Sequence, residues 1–162
     1  MELPKTLITE TTLTTTVATI EITSGIDASY NSYEFLVMNG RASVSSNDTS
    51  FLIGQSGTYS VRDNSISKYG NNVNWNGNFG PYITNSGGAN LLLRAVFSRP
   101  SGSSYYKTVF VHGNSNYFNY SIASSIVLAE TTQSTAAVDR VKLTVTSVSW
   151  LAGTRYKLYG YE

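Results

Sequence analysis

The stretch that decides the fold is Thr135–Tyr159, which reads Thr-Ala-Ala-Val-Asp-Arg-Val-Lys-Leu-Thr-Val-Thr, then Ser-Val-Ser-Trp-Leu-Ala-Gly, then Thr-Arg-Tyr-Lys-Leu-Tyr. Its first and last parts alternate apolar and polar side chains, which is typical of β-strands with one face in a core. The first run predicts that Val141, Leu143 and Val145 face inward, because successive side chains in a strand point to opposite faces.

The second run places Tyr156 and Leu158 on one face, and Lys157 and Tyr159 on the other. A connection containing Gly153 separates the two runs. We therefore expect two strands of one antiparallel sheet that close the fold.

Composition indicates one folded domain, because 162 residues with 41% apolar side chains can bury a core. The domain is expected at 14–162, preceded by an N-terminal arm or edge strand at 1–13. Charged residues make up 13% of the chain, about half of the usual fraction near 25%. The polar surface is therefore built mostly from uncharged Ser, Thr, Asn and Gly.

The rest of the chain shows short strand patterns separated by turn residues, with no convincing helical period. Strands are expected at Thr6–Glu10, Leu13–Ile22, Tyr33–Met38, Phe51–Ile53, Thr58–Arg62, Asn90–Ser98, Tyr105–His112, Tyr117–Ile122 and Ile126–Glu130. In the second of these, Ala18, Ile20 and Ile22 should point inward. Tyr33–Met38 is apolar on both faces, which favours a central strand. Some ten or eleven short strands at turn spacing predict an all-β sandwich or barrel. Of these two we expect an antiparallel β-sandwich of about ten strands.

Charge and cysteine content narrow the function. The formal net charge is +1 and the arginines are scattered, so we expect no nucleic-acid partner. The chain has no cysteine, which excludes thiol catalysis and disulfides. No apolar run approaches the roughly 20 residues of a membrane helix, and no apolar signal segment follows Met1. We expect synthesis in a cytoplasm and no membrane partner.

No catalytic or metal-binding pattern is found. His112 is the only histidine, and it is expected at the surface, at the end of a strand. A zinc site with two histidines is therefore impossible. Four aspartates are isolated from one another in the sequence: Asp27, Asp48, Asp63 and Asp139. We expect no enzyme activity, no metal and no cofactor.

An irregular, asparagine-rich segment carries the candidate contact residues Trp75, Asn76, Asn78, Phe79 and Tyr82. Aromatic faces beside amides suit sugar rings, because C–H groups stack on the ring while amides bond the hydroxyls. The same rings could instead cover one end of the core or fill a subunit contact. Both interpretations remain open here, and the core or interface is favoured.

Two stretches resemble a loosely related group of bacteriophage virion proteins. Ile22–Glu34 (Ile-Thr-Ser-Gly-Ile-Asp-Ala-Ser-Tyr-Asn-Ser-Tyr-Glu) resembles that group's opening strand, Gly-Ile-Asp turn and Tyr-x-x-Tyr. Ala136–Gly160 is similar to its closing strand and Leu-Tyr-Gly end. Together they cover about a quarter of the domain. The resemblance implies a jelly-roll-like β-sandwich on a phage particle, often as a homotrimer, and does not fix which part of the particle. We expect the outer surface of the virion.

From these features we expect a capsid decoration or cement protein that binds copies of itself and the major capsid protein or other virion proteins. The short chain, the domain start close to Met1 and the lack of a repetitive shaft favour decoration over a fibre. Leu3, Leu7 and Ile8 are candidate contacts of the N-terminal arm, which could add a strand to a neighbour. The alternative is a receptor-binding module of a tail or head appendage that recognises a host surface glycan.

Overall fold

The computed structural model describes residues 4–43, 49–55, 58–59, 91–98, 100–102, 107–115, 126–131, 135–145 and 148–162. The secondary structure of these residues is β-strand, with turns and bends between the strands and no helix. The predicted strand Tyr117–Ile122 lies outside the described residues, as does most of the predicted strand Thr58–Arg62. The total number of strands therefore stays a prediction.

The strands, in chain order, are β1 (Lys5–Thr12), β2 (Thr19–Ile22), β3 (Ser32–Gly40), β4 (Thr49–Gln55), β5 (Thr58–Tyr59), β6 (Leu91–Ser98), β7 (Thr108–Ser115), β8 (Ile126–Thr131), β9 (Val138–Val145) and β10 (Arg155–Tyr161). They form two sheets in which every pairing is antiparallel. The larger sheet has the order β1-β10-β3-β6-β7-β8 and the smaller one β2-β9-β4-β5. The predicted all-β, sandwich-like fold is confirmed at this level.

One hydrophobic core draws side chains from both sheets. In β3, Tyr33, Phe35 and Val37 alternate into this core. The strand lies between β10 and β6, which confirms the predicted central position. The ring of Phe35 lies 5.4 Å from that of Phe51 on β4. Contacts of this kind hold the two sheets face to face, because each sheet buries the apolar face of the other.

The two closing strands are not partners, which corrects the expectation of a shared sheet. β9 pairs with β2 and β4 in the smaller sheet, whereas β10 pairs with β1 and β3 in the larger one. The connection crosses between the sheets at Trp150, which is fully buried and donates its indole N–H to the Leu143 carbonyl. The predicted faces hold, since Val141, Leu143, Val145 and Leu158 are buried.

Two local predictions are wrong. The run Leu13–Ile22 is a strand only from Thr19, so Ala18 precedes β2 and is exposed rather than inward. Instead, Val17 forms an isolated bridge with Trp150. His112 does not end a strand, because β7 continues to Ser115; its exposed side chain was predicted correctly.

Candidate functional site

The larger sheet has an outer face, formed by the side chains that point away from the core. On β3, β6, β7 and β10 these side chains alternate with buried or half-buried ones, and on β1 the pairing register with β10 assigns them. The pairing register aligns Leu7, Tyr159, Glu34, Val96 and Phe110 in one row across five strands. We refer to this surface as the outer face.

One part of the outer face, on β6 and β7, carries apolar side chains on either side of Arg94 and His112, which lie opposite each other. Leu92 is 49% exposed and Phe110 51% exposed, and Val96 lies directly opposite Phe110. Leu7, on β1 of the same face, is 47% exposed. These three are the large apolar side chains that stand exposed among the described residues, and all three lie on this face. Exposed apolar patches with polar surroundings mark interaction sites.

The other part of the face, on β1 and β10, is cationic and aromatic. The Lys5 amine lies 4.6 Å from the centre of the Tyr159 ring, and the Lys157 amine lies 6.0 Å from it on the same sheet. Arg155 donates to the Glu10 carboxylate, and the Lys157 amine lies 3.2 Å from the same carboxylate. One carboxylate is thus shared by two cations, and the Tyr159 ring is flanked by two amines.

A buried carboxylate joins the two parts. Glu34 is only 5% exposed although it lies on the outer face. The Arg94 guanidinium donates to it over 2.6 Å, and the Tyr161 hydroxyl donates to its other oxygen. Ionised groups that lose water need such partners. The trio fixes three strands, because Glu34 is on β3, Arg94 on β6 and Tyr161 on β10.

This environment shifts two pKa values. Burial raises the pKa of the Tyr161 hydroxyl, and its hydrogen bond to the ionised Glu34 raises it further. For Arg94, burial works to lower the pKa, but the hydrogen bond and charge of Glu34 outweigh it and the pKa is raised. Both groups therefore keep their protons at neutral pH.

A cleft of about 430 Å³ lies where β1 and β2, the edge strands of the two sheets, come close together. It is lined by Ile8 and Thr9, by the segment 21–25 and by Tyr156. Ile8 packs against the core beside Gly25, where a β-carbon would lie 2.6 Å from Ile8 Cγ2. Ile8 therefore packs against the core of its own domain, whereas Leu7 faces outward.

The structure brings together few of the candidate residues from the sequence. Trp75, Asn76, Asn78, Phe79 and Tyr82 lie outside the described residues, and so does Leu3. The outer face was not predicted as a site. Its signal was present in the sequence: in Leu91–Ser98 the residues between the core positions include Leu92 and Val96, which are apolar where a solvated face would carry polar side chains.

The described side chains contain no group of three His, Asp or Glu residues placed to hold a metal ion. In the same part of the chain, no helix has the length and apolar character needed to cross a membrane.

Comparison with known proteins gives no match among protein families, curated sequences or solved structures. The class that the described residues define is an all-β, two-sheet protein with a partly apolar outer face.

Proposed function

We propose that this chain is a structural protein of a bacteriophage virion, a capsid decoration protein that attaches to the particle surface as an oligomer. The observation that carries the proposal is the outer face, where Leu7, Leu92 and Phe110 are each about half exposed. A stable sheet that leaves such side chains in water has a surface suited to attachment. The resemblance of Ile22–Glu34 and Ala136–Gly160 to virion proteins supplies the biological setting.

A jelly-roll-like connection order belongs to the same proposal. Over its first four strands the chain alternates between sheets, since β1 and β3 belong to the larger sheet while β2 and β4 belong to the smaller one; β6, β7 and β8 then follow one another in the larger sheet. β9 and β10 are split in the same way. This interleaved path supports a jelly-roll-like arrangement in preference to two sheets that are each formed by consecutive hairpins.

The experiment that tests the proposal is measurement of the chain's copy number in purified virions by quantitative mass spectrometry. Hundreds of copies per particle are expected for a component of the shell. A dozen or so copies would favour an appendage, and absence from particles would reject a virion role.

Substitution of the outer face tests whether it is the attachment surface. Leu92→Asp with Phe110→Asp should abolish binding of the purified protein to particles that lack it. Leu52→Asp is the matched control, because Leu52 lies between buried residues on the outward side of the smaller sheet. Circular dichroism should show all proteins folded. Equal binding by the double variant and the control would exclude this face.

The glycan-binding alternative makes a different prediction. If Trp75→Ala lowers adsorption to the host while particle assembly stays intact, the chain is a receptor-binding module. Sedimentation of the purified chain separately tests the oligomer, for which three copies are expected.

A further inference from the structure

We infer that the partner of the outer face is a protein surface that combines apolar side chains with carboxylates, rather than a second copy of the same face. The inference rests on the proposed attachment function and names the chemistry of its partner. It is carried by the charges and by the extent of the outer face.

The net charge of the outer face favours an acidic partner. The described side chains of this face include four cations, Lys5, Arg94, Arg155 and Lys157, and two carboxylates, Glu10 and Glu34, a net charge of +2. The whole chain carries +1, so the remainder of the chain carries a net −1. Two copies joined through this face would bring like charges together, whereas carboxylates on a partner would be attracted.

The arrangement of the charges also favours a partner with carboxylates. Glu34 is saturated by Arg94 and Tyr161, but Glu10 is shared between Arg155 and Lys157. The Lys5 amine lies over the Tyr159 ring. The β1–β10 part thus has more ammonium and guanidinium donors than acceptors of its own. A carboxylate from a partner would supply the missing acceptor.

The size of the outer face fits a contact with one protein partner. Six strands about 4.8 Å apart, each with about seven residues at 3.4 Å, give a face of roughly 700 Å². One side of a standard protein–protein contact buries about 800 Å². The face is therefore large enough for a single specific contact. The apolar part around Leu92 and Phe110 would not be matched by a purely anionic polymer.

The cationic part and the apolar part of the outer face should have separable effects on the rates of association and dissociation. Exposed charge pairs contribute mainly to the association rate and its salt dependence, whereas buried apolar contacts govern dissociation. Lys5→Glu with Lys157→Glu should therefore slow association with particles at least tenfold at low salt and flatten its salt dependence. Leu92→Ser with Phe110→Ser should instead speed dissociation at least tenfold.

The test is surface-based kinetics with particles that lack the chain, at 20 and 300 mM NaCl. Lys142→Glu is the control for charge, because Lys142 occupies a mid-strand outward position on β9 of the smaller sheet. If wild-type protein does not bind particles at all, the proposed function fails. If it binds but the lysine variant keeps the wild-type association rate and salt dependence, only the present inference fails.

Two further measurements test whether the outer face instead binds a second copy of the chain or a polyanionic glycan. Sedimentation of the free chain would overturn the inference if it showed a dimer that Phe110→Ser dissociates, because the face would then bind a second copy. Binding to heparin, used as a polyanionic glycan, would overturn it if the affinity equalled that for particles and was unaffected by Phe110→Ser. The expected results are no such dimer and only weak, salt-sensitive binding to heparin.

Discussion

At the scale of single residues, the turn before β3 is held by Asp27. Its carboxylate accepts a hydrogen bond from the Ser29 backbone N–H over 2.8 Å, and the Tyr33 hydroxyl bonds the Asp27 backbone. The bond from the Ser29 backbone is the largest cause that lowers the pKa of Asp27 below 3.8.

A lowered folded-state pKa gives stability that is present above the unfolded-state value and is lost as pH falls through the folded-state value. Asp27→Asn should therefore be less stable than wild type at pH 7, and this difference should disappear as pH falls below about 3.8. Urea denaturation of both proteins across this range measures it. A difference that does not change with pH would contradict the role of the carboxylate charge.

A second residue-scale prediction concerns Gly160 in β10. A β-carbon at this position would overlap the ring of Tyr30, close to where that ring is attached to its own residue. A small movement of the ring would therefore not remove the overlap. Gly160→Ala should reduce the free energy of unfolding by about 1–3 kcal/mol, the usual effect of overpacking. In a Tyr30→Ser background the same substitution should cost much less.

The control for the comparison between the wild-type and Tyr30→Ser backgrounds is Gly153, whose φ of +87° disfavours any side chain. Gly153→Ala should cost about 1–2 kcal/mol through backbone strain, and this cost should be independent of residue 30. If both alanine substitutions respond equally to Tyr30→Ser, overlap with that ring is not the cause.

Single-residue patterns predicted which side chains of β9 are buried, because alternation alone fixes the faces of a strand. They did not predict the burial of Glu34. Alternation places this charged side chain on the outward face of its strand, and outward-facing charged side chains are usually exposed to solvent. Its burial depends on Arg94 and Tyr161, which are distant in sequence and adjacent only after pairing. Such partners cannot be read from a local pattern.

At the scale of elements, Glu34, Arg94 and Tyr161 connect three neighbouring strands. Removing one member of a buried pair is more harmful than removing both, because the remaining charge loses its partner. Arg94 is 54% exposed, so solvent moderates the effect. Arg94→Met should therefore cost about 1–2 kcal/mol.

The double variant Glu34→Met with Arg94→Met should recover most of that loss, because no buried charge then remains. Chemical denaturation of the two variants and wild type measures both values. A double variant that is less stable than Arg94→Met alone would show that the carboxylate stabilises the sheet without its arginine partner.

The sequence does not show which strands pair with one another. Both closing runs were recognised as strands, and β3 was correctly placed inside a sheet. A pattern of alternation does not say which neighbour a strand bonds, so the transfer of the chain between sheets at Trp150 was missed. A single tryptophan between two strands is compatible with a hairpin and with a connection that passes from one sheet to the other. The burial of Trp150 and its bridges to Val17 and Ala42 show that the connection passes between the sheets.

At the scale of the whole molecule, the first and last strands are neighbours. Lys5 lies opposite Tyr161 in the β1–β10 pair, so the two ends of the described chain meet at one edge of the larger sheet. β1 would follow β10 as an ordinary antiparallel hairpin if the ends were joined. The exposed segment Thr14–Thr16 between β1 and β2 offers a place for new ends.

A circular permutant that starts at Thr15, with residues 1 and 162 joined by a short Gly-Ser linker, should therefore fold. Its free energy of unfolding should lie within about 1–2 kcal/mol of wild type, because loop closure entropy changes slowly with loop length. A permutant opened at Leu36, in the middle of β3, should not fold, since it cuts a strand that pairs with β10 and β6. Near-ultraviolet circular dichroism and urea denaturation distinguish the two. If the permutant opened at Thr15 were as unfolded as the one opened at Leu36, β1 and β10 would not be partners, and the row from Leu7 to Phe110 across the outer face would not exist.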